Sequence, residues 1–68
     1  MSPALVKLPV VLVVEDNPDD QELAELAMKR VGFRCQPMFV EDGLEALEYL
    51  RDCGSVEKPR PDLLLVDL

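Results

Sequence analysis

Three acidic side chains follow apolar runs of the kind that form buried strands, and they are the residues best suited to chemistry. Glu15 and Asp16 come directly after Val10–Val14, and Asp67 comes directly after Leu63–Val66. In parallel α/β sheets, binding sites form beyond the carboxyl ends of the strands. If these runs are neighbouring strands, the three carboxylates converge. Two like charges about 4 Å apart cost on the order of 4 kcal/mol at an effective dielectric constant of 20.

A hard divalent cation would relieve that repulsion, and Mg²⁺ prefers oxygen ligands. The simpler interpretation is that acids after a strand only cap the next helix or face solvent. A shared site requires the carboxylates of Glu15, Asp16 and Asp67 to lie within about 10 Å of one another, which is roughly the Debye length at 0.1 M salt. The sequence predicts that they meet this condition and bind divalent cations weakly.

The segment after the first run has the pattern of a helix. Asn17 suits the N-cap, and Pro18 suits the first helical position, where its missing N–H is not needed. Gly32 suits the left-handed conformation that ends many helices. The predicted apolar stripe of this helix consists of Leu23, Leu26, Ala27 and Val31.

A second strand and a second helix follow. Residues 33–40 form a predicted edge strand, because Pro37 cannot donate to a ladder on its N–H side. Asp42 with Glu45 three residues later resembles a capping box. The predicted buried face of the second helix consists of Leu44, Leu47 and Leu50, and Gly54 ends it. A polar loop over residues 55–61 then leads into the third strand.

The predicted element order is strand, helix, strand, helix, strand, which is an α/β fold. Each crossover contains a helix, so the strands should be parallel with right-handed connections. The first and third strands are the apolar ones and should lie next to each other. The predicted strand order is therefore 2-1-3, the opening half of a doubly wound sheet.

Composition excludes several classes of function. The 68 residues include 7 basic and 14 acidic side chains, for a net charge of −7, and no histidine. Nucleic-acid binding needs a basic footprint, so it is not expected. The absence of histidine excludes Ser-His-Asp and Cys-His catalysis and the usual zinc sites. We expect a chain that binds cations or basic protein surfaces.

No membrane association is expected either. The longest apolar run is Val10–Val14, which is far too short to span a bilayer, and the N-terminus lacks the features of a signal peptide. Cys35 and Cys53 make no disulfide framework. A reducing cytoplasm is the expected location.

Three sequence blocks carry a resemblance to a known family. Residues 10–18 read Val-Val-Leu-Val-Val-Glu-Asp-Asn-Pro, residues 41–47 read Glu-Asp-Gly-Leu-Glu-Ala-Leu, and residues 61–68 read Pro-Asp-Leu-Leu-Leu-Val-Asp-Leu. In this order and spacing they resemble the response-regulator receiver domain of two-component signalling, which implies a phosphoacceptor module and not an enzyme. The resemblance covers residues 1–68 but only the amino-terminal half of that domain, so it implies a truncated flavodoxin-like sheet.

The resemblance also implies roles for the acidic residues. Asp67 matches the aspartate that accepts a phosphoryl group from a phosphohistidine on a sensor histidine kinase in the phosphorelay. Glu15 and Asp16 match the acidic pair that, together with the acceptor, holds the Mg²⁺ needed for transfer. Glu15, the first residue of the pair, is a variant of the family's acidic pair. Its extra methylene leaves open whether it binds the metal directly or through water.

Several parts that the resemblance implies are not found in these 68 residues. They are a backbone carbonyl ligand just after the acceptor, a Ser or Thr that senses the phosphoryl group and a Lys that pairs with it. We therefore expect weak or absent metal binding and poor phosphorylation. The alternative is an inactive half-domain that self-associates. The apolar strand Leu63–Val66 predicts a homodimer in the order 2-1-3-3′-1′-2′, with exchange of that strand between chains as the runner-up.

Overall fold

The computed structural model describes residues 8–66, which form a three-stranded parallel sheet with two helices. The elements are β1 (Val10–Val14), α1 (Pro18–Arg30), β2 (Gln36–Val40), α2 (Gly43–Asp52) and β3 (Leu63–Val66). The sheet has the order β2-β1-β3, and both pairings are parallel. The α/β class and the predicted order 2-1-3 are confirmed. The arrangement is that of three neighbouring strands in a flavodoxin-like sheet.

Strand β1 is the buried centre of the sheet. Its residues from Val10 to Val13 are at most 2% exposed. Because successive side chains in a strand point to opposite faces, an apolar run such as this needs cover on both. Leu12 packs with Val40, Ala46 and Tyr49 on the face that α2 covers. Val11 and Val13 point to the opposite face, the one next to α1.

Helix α1 begins as predicted but presents a different face to the sheet. The Asn17 side chain accepts a hydrogen bond from the Asp19 N–H at 2.9 Å, and Gly32 beyond the helix has a φ of 74°. However, the predicted stripe is wrong, because Leu23, Leu26 and Val31 are mostly exposed. The half-buried residues of the helix also recur with the 3.6-residue helical period, but they lie on the face next to the predicted stripe. They are Gln21, Ala24, Glu25 and Met28.

The predicted buried face of α2 is also wrong. Leu44, Leu47 and Leu50 are exposed, and the helix instead buries Ala46 and Tyr49. Its start is capped as predicted, because the Asp42 carboxylate accepts from the Glu45 N–H at 2.8 Å. The second hydrogen bond, in which the Glu45 side chain accepts from a backbone N–H, differs from that of an ordinary capping box. The Glu45 carboxylate accepts from the Glu41 N–H, one residue earlier than the N-cap.

The second strand is shorter than predicted. It runs over Gln36–Val40 at the edge of the sheet, so the edge position is confirmed but the start at residue 33 is wrong. The Phe33 N–H donates to the Met28 carbonyl at 2.9 Å, which keeps this residue at the end of α1. Pairing with the first strand begins only where the Gln36 N–H donates to the Pro9 carbonyl at 2.8 Å.

The loop before β3 is fastened at two points. The Asp62 N–H donates to the Val10 carbonyl at 2.8 Å, and the Asp62 carboxylate accepts from the Val10 N–H at 2.9 Å. The Tyr49 hydroxyl donates to the Pro59 carbonyl at 2.7 Å. These bonds attach the loop to β1 and to α2, so the third strand enters the sheet in a defined position.

Strand β3 lies at the other edge of the sheet and is poorly covered. Its four apolar residues are 44–52% exposed. Within residues 8–66, only β1 pairs with it. A strand that is apolar on both faces normally lies under helices. Among residues 8–66, β3 therefore presents apolar side chains on both faces and has no strand at its outer edge.

Two leucine-to-alanine substitutions should show by their different effects on stability that β1 is buried and that the leucine face of α2 is exposed. We expect Leu12→Ala to lower the free energy of unfolding by about 2–5 kcal/mol, because Leu12 is 0% exposed and packs in the core. Leu47 is 66% exposed, so Leu47→Ala should change the free energy of unfolding by no more than about 0.5 kcal/mol. Urea unfolding followed by circular dichroism measures both. Equal losses would mean that the leucines of α2 are buried in solution.

The Tyr49 hydroxyl should make stability depend on alkaline pH. Burial raises its pKa above the ordinary value of 10.0, and the nearby Cys53 raises it further. The folded state therefore keeps the phenol proton longer than the unfolded chain does. This contribution is complete below about pH 10 and is lost as pH rises through the folded-state pKa.

Substitution of Tyr49 by phenylalanine tests this. We expect Tyr49→Phe to cost about 0.5–1.5 kcal/mol at neutral pH through loss of the bond to Pro59. The difference between the two proteins should shrink as pH rises above about 10. Urea midpoints across that range measure it. A constant difference would show that the hydroxyl proton does not stabilise the fold.

Candidate functional site at the carboxyl end of the sheet

The acidic pair lies where β1 leaves the sheet. The Glu15 N–H donates to the Val40 carbonyl at 2.9 Å, so the backbone of Glu15 still belongs to the ladder with β2. The Gln21 side-chain amide donates to the Glu15 carbonyl at 2.7 Å. Glu15 is thus held by the strand before it and by the helix after it, and its position at the edge of the sheet is fixed.

The side chains of the pair have different surroundings. The Glu15 carboxylate is half-buried and accepts from the Asn17 N–H at 3.2 Å. The Asp16 side chain is exposed to solvent. Asp16 is the more accessible of the two.

The end of β3 lies beside this pair. Val14 is level with Val66, and Val13 is level with Leu65, in the parallel register. A cavity of about 350 Å³ is lined by Glu15, Asp20, Ala24, Leu65 and Val66. The structure therefore brings the acidic end of the first strand next to the last described residues of the third.

Asp20 is a site residue that the sequence analysis did not single out. It is in the first turn of α1, where an acid is explained equally well by the positive end of the helix dipole. The signal that identifies it is positional. One turn after the N-cap, its side chain faces the cavity beside Glu15 rather than open solvent alone.

Asp67, the predicted phosphoacceptor, lies outside the described residues. Its convergence with Glu15 and Asp16 therefore stays a prediction. Between residues 8 and 66, no group of three or more acidic or cysteine side chains has the arrangement of a metal site. A cavity of about 600 Å³ lies near the amino end of β2, and its lining is apolar and basic rather than acidic.

Comparison with known proteins points to signalling. The chain is 37% identical over 60 residues to the response regulator Rcp1 of Synechocystis sp., a match that includes 87% of this chain. The resemblance to a response-regulator receiver domain is thereby confirmed. The chain spans 41% of the length of that relative. No family model matches the chain, and no solved structure matches it. In the part that the structure describes, no helix is long and apolar enough to cross a membrane.

Manganese, a paramagnetic substitute for Mg²⁺, should locate the cation site. We expect Mn²⁺ to broaden the backbone amide signals of Glu15, Asp16 and Asp67 before any others in the NMR spectrum. The physical reason is that these acids come directly after two neighbouring strands whose last described residues, Val14 and Val66, are level. Asp16→Asn should weaken this broadening at least several-fold.

A matched variant controls for net charge. Asp52→Asn removes the same charge from an exposed position at the end of α2, where the carboxylate pairs with Arg51. It should leave the broadening unchanged. If Asp52→Asn weakens Mn²⁺ binding as much as Asp16→Asn does, the cation is attracted by the acidic surface as a whole and the localised site is wrong.

Proposed function

We propose that the chain is part of a phosphoacceptor receiver module in a two-component phosphorelay. Asp67 accepts a phosphoryl group from a sensor histidine kinase, and Glu15, Asp16 and Asp67 hold the Mg²⁺ that assists the transfer. The observation that carries the proposal is the register of β1 with β3. Because Val14 is level with Val66, the acidic pair and Asp67 both come directly after neighbouring parallel strands. The similarity to a response regulator supports the same role.

The proposed reaction needs little from the protein beyond an oriented carboxylate. An oxygen of Asp67 forms a bond to phosphorus while the phosphorus–nitrogen bond of the phosphohistidine breaks, which gives an aspartyl phosphate and a free imidazole. Bound Mg²⁺ would offset the negative charge shared by the acceptor and the phosphoryl oxygens. The chain would act as a phosphoryl acceptor and not as an enzyme that turns over a substrate.

The contacts of the acidic pair favour different roles for its two members. Glu15 is fixed through its backbone, and its carboxylate is already engaged by the Asn17 N–H. It suits a cation held partly through water. Asp16 is exposed and suits direct coordination. Asp20, which lines the same cavity as Glu15, adds negative potential to the site without being required as a ligand.

The 68-residue chain should be a poor acceptor on its own. The resemblance implies a hydroxyl and a lysine that contact the phosphoryl oxygens, and the three described strands supply neither at their carboxyl ends. Each charge-assisted hydrogen bond of this kind is worth roughly 1.5–3 kcal/mol. Loss of two would slow the transfer by orders of magnitude.

A second candidate function is favoured by one observation. The residues of β3 are 44–52% exposed although all four are apolar, which suits a fragment whose main property is association with another chain. In that case the acids would remain solvated and no phosphoryl group would be accepted. The two candidates make opposite predictions for labelling.

Phosphorylation with a small acyl phosphate and Mg²⁺ separates the candidates. We expect intact mass spectrometry to show slow, incomplete addition of one phosphoryl group. Asp67→Asn should abolish it, because the neutral amide lacks the nucleophilic carboxylate. Asp52→Asn, at an exposed position far along the chain from the three acids, is the matched control and should label like the unaltered chain.

Each other result has a defined meaning. Labelling that persists in Asp67→Asn would contradict the assignment of the acceptor. Rapid stoichiometric labelling would contradict the expected weakness of the 68-residue chain. A complete lack of labelling after prolonged incubation would favour the self-associating half-domain.

A further inference from the structure

Gln21 is a polar residue on the half-buried face of α1. It shares this face with Ala24 and Met28, where an apolar side chain would pack well against the sheet. Burying an amide costs free energy unless the amide is hydrogen-bonded. The Gln21 side-chain amide donates to the Glu15 carbonyl at 2.7 Å, in a partly buried position. The presence of a glutamine on this face is therefore explained by its bond to the residue that begins the acidic pair.

The Glu15 carbonyl receives its donor from outside the sheet. The Glu15 N–H still donates to the Val40 carbonyl at 2.9 Å. In a parallel ladder the next donor would be the Asp42 N–H, but β2 ends at Val40 and Asp42 is the N-cap of α2. Gln21 supplies the donor instead, and its own N–H bonds to the Asn17 carbonyl at 3.0 Å. The amide thus extends from a fixed helical turn to the point where the first strand stops.

The bond from Gln21 orients the peptide unit that joins the acidic pair. A peptide unit is planar, so the Glu15 carbonyl lies in one plane with the N–H and the Cα of Asp16. The direction in which the carbonyl is held therefore determines where the Asp16 side chain begins. That side chain is exposed, so packing does not fix it. The backbone of the pair, and through it Gln21, sets the direction of the Asp16 carboxylate.

We propose that Gln21 is a positioning residue for the cation site, because it fixes the peptide unit from which the Asp16 carboxylate reaches the ion. This inference rests on the proposed function, since it concerns the same Mg²⁺. Groups that orient metal ligands are typically worth about 10–100-fold in metal affinity. A neutral amide suits this role, because a lysine or arginine in its place would pair with the carboxylates and compete with the cation.

A matched pair of glutamine substitutions tests the role. Gln21→Met keeps the length and the helix propensity of the side chain but removes the donor, and we expect it to raise the Mn²⁺ dissociation constant about tenfold. Gln36→Met is the control, because that side chain is exposed at the start of β2 and the backbone bond to Pro9 is retained. It should leave the constant unchanged. Titration of the amide broadening by Mn²⁺ measures both, at a temperature at which circular dichroism shows each variant folded.

The unaltered chain provides a second measurement, which does not depend on the folding of a variant. If the bond from Gln21 favours cation binding, the cation must favour the bond to the same degree, because coupling between two equilibria is reciprocal. Millimolar Mg²⁺ should therefore slow the solvent exchange of the Gln21 side-chain amide protons several-fold. The side-chain amide protons of Gln36 are the internal control and should exchange at the same rate with and without Mg²⁺. NMR exchange spectroscopy measures both rates.

Loss of the positioning role and loss of the cation site give different results. If Mn²⁺ binds at Glu15 and Asp16 but Gln21→Met leaves the dissociation constant unchanged, the positioning role is overturned and the cation site stands. Equal weakening by Gln21→Met and Gln36→Met would also overturn the role, as would exchange of the Gln21 amide that Mg²⁺ does not slow. If the unaltered chain shows no localised Mn²⁺ binding, the cation site is wrong and the positioning role fails with it.

Discussion

Burial of β1 on both faces is the constraint on which the rest of the structure depends. Its four most buried residues leave almost no surface to water, and it is paired with a strand on each side. Here the cover comes from helices in the connections between strands, and such crossover connections make the strands parallel. Parallel strands in turn end at the same edge. The position of Glu15 and Asp16 beside the end of β3 is therefore a consequence of how the first strand is buried.

The fold was largely predictable because its signals are local. A five-residue β-branched run has few interpretations other than a central strand, and Asn17 before Pro18 begins a helix whatever packs against it. Gly32 adopts the positive φ that a helix end requires. The strand order also followed from composition, since Pro37 is tolerated at an edge.

The helix faces were not predictable in the same way. Hydrophobic periodicity identifies a helix, but it assigns the buried side to the largest apolar residues. Here the positions of α2 that face the sheet are Ala46 and Tyr49. The small side chain of Ala46 and the elongated side chain of Tyr49 allow the helix to approach the sheet closely, while Leu44 and Leu47 face outward. Asp20 was missed for a related reason. Its sequence context explains it as a helix-start residue, and only the folded structure places it at the cavity beside Glu15.

The attachment of Asp62 to Val10 has a consequence for the opposite end of the molecule. Asp62 uses its backbone N–H and its carboxylate on the same residue of β1. A slip of β3 by one residue would exchange its two faces and shift it by about 3.3 Å along its neighbour. Such a slip would have to break both bonds at once. The alignment of the carboxyl ends of β1 and β3 is thus set from the far side of the sheet, by a residue remote from the candidate site.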